Sequence, residues 1–374
     1  MKRLSALFLL LLLLSLPSFA QTKIQTSVWY FGRNAGLDFR SGAPVALTDG
    51  MIYTEEGTSS ICDPQGNLLF YTNGVRVWNR EHKNMPNGQR LTGHSSSTQS
   101  AVIVPRPGNP SLYYIFTVDL QAGANGLRYS VVDMTKEEGM GDLIAKNELL
   151  FTPVTEKLTA IRHRNGQDVW VISHRWNSNA FHAWLVTAKG VTGMPVTSHV
   201  GSVHGGHGRQ AIGYLKPSPD GSRLAAAIWK ETHKFEVFDF DNATGVVSNP
   251  ITLDGYEEAY GVEFSPDGSK LYGGKNGMGG GKAEIFQFNL RAGSPQAIAK
   301  SATLIGSSTS RKVGALLLGP DGKIYVARDK NPFLGVIQNP NAAGQASSYV
   351  DDGFHLAGKK SEIGLPNFIH NYFR

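Results

Sequence analysis

Cysteine is almost absent from this chain: Cys62 stands alone among 374 residues. One cysteine cannot pair within the chain, so a disulfide framework is excluded. Charged residues are sparse at 18% and no Lys/Arg tract accompanies the net charge of +6. That weak, scattered balance argues against a dedicated nucleic-acid binder. Beyond residue 20 no apolar run is long enough to span a bilayer. Helical amphipathic periodicity is missing as well, which leaves strands. Motifs for a serine-nucleophile elbow, a metalloprotease helix or a dinucleotide fingerprint are also missing. With 41% apolar and 10% aromatic residues, disorder is excluded as the dominant state.

The N-terminus is informative. Lys2 and Arg3 precede an apolar run from Ala6 to Leu16, broken only by Ser15, and Ser18 and Ala20 are small. This pattern predicts a Sec-type signal peptide over residues 1–20, cut after Ala20, and a periplasmic or secreted protein. A membrane anchor is the alternative, but the run is short for one. Removing the leader lowers the net charge to +4.

Glycine is abundant, at 43 residues, and it is patterned. Ser218-Pro-Asp-Gly-Ser-Arg-Leu224, Ser265-Pro-Asp-Gly-Ser-Lys-Leu271 and Gly319-Pro-Asp-Gly-Lys-Ile324 are near copies, and Asp63-Pro-Gln-Gly-Asn-Leu-Leu69 is a weaker one. Each lies between apolar runs. Proline presets φ and glycine accepts positive φ, so each copy predicts a hairpin. With degenerate copies at Asn109 and Gly166, the turns recur every 43–57 residues. A second turn glycine follows the first by 24 or 25 residues at Gly190, Gly245 and Gly293. Constant offsets mean one copied unit, with room for a four-stranded sheet.

Six units are visible, and the chain ends supply a seventh. Gly364–His370 reads as an inner strand with no unit after it. Val28–Phe31, Leu37–Phe39 and Val45–Leu47 read as three strands with no inner strand before them. Pairing the two sets closes a ring and removes exposed sheet edges. The expectation is all-β: a seven-bladed β-propeller of four-stranded antiparallel blades, forming one domain over 21–374. Six blades with an N-terminal extension, or two sandwiches, are the alternatives.

The Ser-Pro-Asp-Gly-x-x-Leu units resemble the WD40-like propeller repeats of bacterial periplasmic proteins. Trp29-Tyr-Phe-Gly-Arg-Asn-Ala-Gly-Leu-Asp-Phe39 is similar to the opening of a propeller module in large surface proteins of the Bacteroidota. Val77-Trp-Asn-Arg, Met85-Pro-Asn-Gly88, Tyr129-Ser-Val-Val-Asp-Met134 and Gly364-Leu-Pro-Asn-Phe368 extend that resemblance. Such proteins often carry gliding-motility or type IX secretion sorting domains at the C-terminus, and no such domain follows the propeller here. The resemblance implies fold and lineage and carries no catalytic residue.

The segments leading into the inner strands should form the binding face. They are polar: Glu56, Gln99, Glu156, Lys157, Arg209, Gln210, Glu258, Tyr260 and Arg311, with Glu362 before the last. Gly201-Ser-Val-His204-Gly-Gly-His207-Gly-Arg209 adds two histidines in a glycine-rich loop. These are the candidate ligand-binding residues at the channel mouth. Alternatively they are solvated loop charges satisfying one another. A metal on His204 and His207 would need further ligands such as His199 or Glu258, and the spacing requires neither. No metal or cofactor is expected. Gly277-Met-Gly-Gly-Gly-Lys282 lacks the P-loop spacing and reads as a long hairpin. Cys62 should be buried and inert.

These residues support an exported, monomeric, non-enzymatic binding or scaffold propeller of the cell envelope. It would engage a protein or glycan through its channel mouth, with no nucleic acid and no membrane span. The alternative is a propeller enzyme, a lyase or hydrolase on a carbohydrate or lactone, using the mouth carboxylates and histidines.

Overall fold

The local chemistry of the repeated turn explains why the chain folds back where it does. In the computed structural model, which describes residues 25–229 and 233–370, Gly221 and Gly268 sit at φ +70° and +66°. Those are left-handed values that favour glycine. The Gly221 amide donates to the Ser218 carbonyl at 2.8 Å. The Ser222 amide donates to Asp220 Oδ1 at 3.1 Å, and the Arg223 amide donates to Ser218 Oγ at 3.0 Å. Ser265 and Asp267 repeat the arrangement. Every residue of the Ser-Pro-Asp-Gly motif is therefore used inside its own hairpin. The expected leader lies outside the described residues.

Each hairpin joins the first two strands of a blade, and the fold is an all-β ring of seven blades. The first blade carries β1 (Val28–Phe31), β2 (Ala35–Asp38) and β3 (Val45–Leu47). The second has β4 (Ser59–Cys62), β5 (Leu68–Thr72), β6 (Arg76–Asn79) and β7 (Asn84–Gln89). The third has β8 (Ala101–Pro105), β9 (Leu112–Val118), β10 (Leu127–Asp133) and β11 (Asp142–Phe151). The fourth is longer: β12 (Val154–Arg162), β13 (Val169–Arg175), β14 (Ser178–Thr187), the short β15 (Gly190–Val191) and β16 (Val196–His204). The fifth holds β17 (Leu215–Pro217), β18 (Arg223–Ile228), β19 (Lys234–Asp241) and β20 (Val246–Asp254). The sixth holds β21 (Ala259–Phe264), β22 (Lys270–Lys275), β23 (Ala283–Asn289), a short helix α1 (Pro295–Lys300) and β24 (Thr303–Ser308). The seventh holds β25 (Val313–Leu318), β26 (Ile324–Arg328), β27 (Phe333–Ile337) and β28 (Tyr349–His355).

The C-terminal chain closes the ring at the inner edge of the first blade, but not as a regular ladder. An antiparallel bridge joins Arg33 and Lys360. The chain then runs beside β4, with the Ile363 amide donating to Glu55 O at 3.0 Å and the Asn367 amide to Thr58 O at 2.7 Å. Its last strand, β29 (Ile369–His370), pairs in parallel with β12. Pro366 has no N–H to give a ladder, which accounts for the irregular pairing. On the other side Ala315 of β25 donates to Ile363 O at 2.8 Å. The segment is thus wedged between the seventh and second blades, in the first blade's innermost position.

Cores form between neighbouring blades. Trp29, fully buried, packs on Phe39, on Tyr325 of the seventh blade and on Phe368 of the C-terminal segment. On the other side Val28 and Tyr30 meet Cys62, Tyr71 and Trp78 of the second blade. Cys62 is buried in β4 and its thiol is pushed up to about 12 by burial, which leaves it inert at neutral pH.

Candidate functional site

Inner strands face one another across the channel, so residues at their mouth ends converge. Glu156 lies on β12 and is completely buried. Thr98 gives its Oε2 two hydrogen bonds, from the amide at 2.8 Å and the hydroxyl at 2.6 Å. The Gln121 amide donates to its Oε1 at 2.9 Å. Glu56, 6% exposed, has no such cradle: its Oε2 lacks an aligned partner. Tyr260 lies beside Glu56 and eases its ionisation slightly. The approach is not an aligned hydrogen bond, since the Tyr260 hydroxyl is also unpaired. Burial, and then the charge of Glu156, push the Glu56 carboxyl well above the usual carboxylate range. Burial also raises Glu156, but its three donors work in the other direction. The negative charge of the pair therefore belongs on Glu156 and the proton on Glu56.

Glu56 opens onto a cavity of ≈190 Å³ at the channel mouth. Tyr260, Asn276 and Trp229 form its polar and aromatic wall, and Ile212, Met278 and Ile363 form its apolar one. Arg209 and Lys312 border it with positive charge. Asn276 accepts from the Val313 amide at 2.7 Å through Oδ1, while its Nδ2 has no acceptor. Three buried groups of this wall, on Glu56, Tyr260 and Asn276, thus carry unpaired polar atoms. Such atoms are costly unless something meets them.

Glu56, Tyr260 and Arg209 come together here, Glu56 and Arg209 from segments before inner strands and Tyr260 from within β21. The others are dispersed. Glu156 and Lys157 are not on a loop, as expected, but inside β12, and both are fully buried. Lys157 Nζ donates to Ile212 O at 3.0 Å, and burial lowers its pKa to about 7. Gln99 is structural: just before β8, its amide ties β12 and β17 together by donating to Leu215 O and accepting from the Leu215 and Leu158 amides. These buried residues are not solvated loop charges. His204 ends β16, fully buried and stacked on His174. His207 is exposed and accepts from the Arg209 amide at 3.3 Å, so the two histidines point into different surroundings. Gln210 is half-buried in the short turn that follows. Glu258 accepts from the Met278 amide at 2.8 Å and anchors the glycine-rich loop. Arg311 faces a different cavity, while its neighbour Lys312 faces this one. Glu362 is paired with Arg33. Among the described residues no three His, Cys, Asp or Glu side chains group as metal ligands.

Asn276 and Trp229 also line the cavity, although no motif in the sequence marks either. Both directly follow the second strand of their blades, β22 and β18. That repeated position was the available signal.

No family model matches the sequence, and no curated protein does. Solved structures match throughout. A candidate 6-phosphogluconolactonase from Bacteroides fragilis superposes with a TM-score of 0.55 at 12% identity, covering 91% of this chain and 97% of its own. A second candidate 6-phosphogluconolactonase, from Bacteroides uniformis, gives 0.50 at 13%, covering 89% and 99%. A protein from Lactobacillus plantarum gives 0.51 at 12%, covering 91% and 99%. At such identities the likeness is one of fold: the chain is a seven-bladed β-propeller. These comparisons do not single out the surface-protein propellers that the sequence resembles. No helix among the described residues is long and apolar enough to cross a membrane.

Proposed function

We propose that this propeller binds a small sugar acid at its channel mouth. One observation carries the reading: unpaired polar atoms of Glu56, Tyr260 and Asn276 belong to a single cavity bordered by Arg209 and Lys312. A protonated carboxyl, a phenol and an amide N–H suit hydroxyl groups, and the two cations suit a carboxylate. Trp229 and the aliphatic wall suit the apolar face of a sugar ring. The volume fits one unit. The leader-like N-terminus supports a site of action in the periplasm or outside the cell. The shared short motifs support an envelope role beside a protein or glycan partner.

Titration calorimetry with galacturonate, gluconate and glucose tests this. Galacturonate and gluconate bind, glucose binds at least about tenfold more weakly, and Arg209→Ala with Lys312→Ala removes that difference. Equal affinity for glucose and galacturonate would sink the reading.

A second reading is hydrolysis of a lactone of such an acid. It is favoured by the neutral carboxyl of Glu56 next to the ionised Glu156, the arrangement that general acid catalysis needs. The names of the two Bacteroides neighbours agree with this reading. Release of acid from a sugar lactone, abolished in Glu56→Ala, would favour it over binding alone.

A further inference from the structure

A second cavity, more open and ≈510 Å³ in volume, lies on the same face. Lys282, Arg311 and the hydroxyl-bearing run Ser307–Ser310 line it. It shares a wall with the first cavity. At the bend before β25, Arg311 faces the second cavity and its neighbour Lys312 the first. The loop between β22 and β23 divides in the same way, Met278 bordering one cavity and Gly281 and Lys282 the other.

This loop is fixed at its root and bare at its tip. The Gly277 amide donates to Arg311 O at 3.1 Å, and Glu258 holds the Met278 amide. A Cβ added at Gly279, Gly280 or Gly281 would meet nothing within 4 Å, and only Gly280 has a left-handed φ, +102°. Neither packing nor backbone conformation demands glycine at 279 or 281. What glycine supplies there is a low wall without side chains. Beyond it, Lys282 and Arg311 have no acidic partner among the described residues.

We propose that the ligand is an acidic oligosaccharide, with one sugar acid in the channel-mouth cavity and the chain passing over the glycine wall. The next carboxylate then meets Lys282 and Arg311, and sugar hydroxyls meet Ser307 and Ser310, since Ser308 and Thr309 are held by Arg328 and Asp351. This rests on the sugar-acid reading above. A linear chain of sugar acids carries one carboxylate per unit, which matches cations recurring on both sides of the wall. The aromatic and aliphatic surfaces of the first cavity favour sugar over an extended phosphate chain, which has no apolar face.

The test is calorimetry on the full chain with galacturonate, trigalacturonate and tripolyphosphate. Trigalacturonate should bind about tenfold or more tighter than galacturonate. Lys282→Ala with Arg311→Ala should erase that advantage and leave galacturonate affinity unchanged. Gly281→Gln, for which the fold has room, should raise the wall and weaken only the trimer. If galacturonate binds but the trimer binds no tighter, the extended site is overturned and the single-unit reading stands. If the substitutions weaken both sugars equally, or tripolyphosphate binds tightest, the proposal is likewise overturned. If neither sugar binds, both readings fall.

Discussion

His174 and His204 lie face to face inside the propeller, ring centroids 3.7 Å apart and planes 17° from parallel. His174 donates through Nδ1 to the Arg175 carbonyl at 3.0 Å, which sets its neutral tautomer. Burial lowers its pKa to about 3, helped by Lys157 and His182, and lowers His204 well below its ordinary value. Their unfolded value is 6.5. The unfolded chain therefore takes up protons that the folded one refuses. Stability from this pair is intact above pH 6.5 and is lost as pH falls from there towards 3. His204→Phe should shallow that loss by about 1 kcal/mol per pH unit. Urea unfolding of both proteins between pH 7 and pH 4 measures it, and parallel profiles would contradict it.

Lys157 predicts a slope on the alkaline side. Its pKa falls from 10.5 unfolded to about 7 folded, through burial. Between those values the unfolded chain again binds more protons, so this lysine adds stability as pH rises from 7 to 10.5. Lys157→Met should remove that rise. Unfolding midpoints at pH 7 and pH 9.5 compare the two chains directly.

Backbone-to-backbone contact at the ring closure predicts intolerance of a single methyl group. A Cβ on Gly364 would clash with the Glu56 carbonyl, and one on Gly314 with the Ile363 carbonyl. Neither obstacle is a flexible side chain. Each alanine substitution should cost about 1–3 kcal/mol or more. Gly322→Ala is not the right control, because its φ is +82°. Gly193→Ala is, since a Cβ there meets nothing within 4 Å, and it should lie within about 0.5 kcal/mol of the native chain.

Asn367 ties three inner strands together. Its side-chain Nδ2 donates to Leu158 O at 2.8 Å and Ala101 O at 3.3 Å, and its backbone carbonyl accepts from Ser59 Oγ at 2.7 Å. Asn367→Ala should cost about 1–3 kcal/mol in chemical unfolding. Asn367→Asp should cost more, because it sets a carboxylate against two carbonyl oxygens in a buried site. An aspartate as stable as the asparagine would refute this account of the hub.

The ring was legible in the sequence because its signals are local. Pro219, Asp220 and Gly221 serve their own hairpin, and the same chemistry recurs in each copy. The ends were legible by subtraction, although Pro366 gave closure a form that alternation alone does not show. Depth was not legible. Glu156 and Lys157 read as mouth residues, yet both are buried, Glu156 under Thr98 and Gln121 and Lys157 against the Ala211 and Ile212 carbonyls. The three-residue spacing of His204 and His207 suggested convergence, but one ends a buried strand and the other begins an exposed turn. Asn276 and Trp229 meet Glu56 only through the ring, at separations no local pattern records.

In the proposed sugar-acid site Glu56 donates a hydrogen bond only while protonated, so the pH profile of binding is the decisive measurement. Galacturonate affinity is to be measured from pH 5 to pH 9 on the native chain and on Glu56→Gln, whose amide still donates. Native affinity should fall as pH rises through the raised value of Glu56, while Glu56→Gln binds at every pH with a flatter profile. Parallel profiles for the two proteins, or no binding at millimolar galacturonate at any pH, would contradict it.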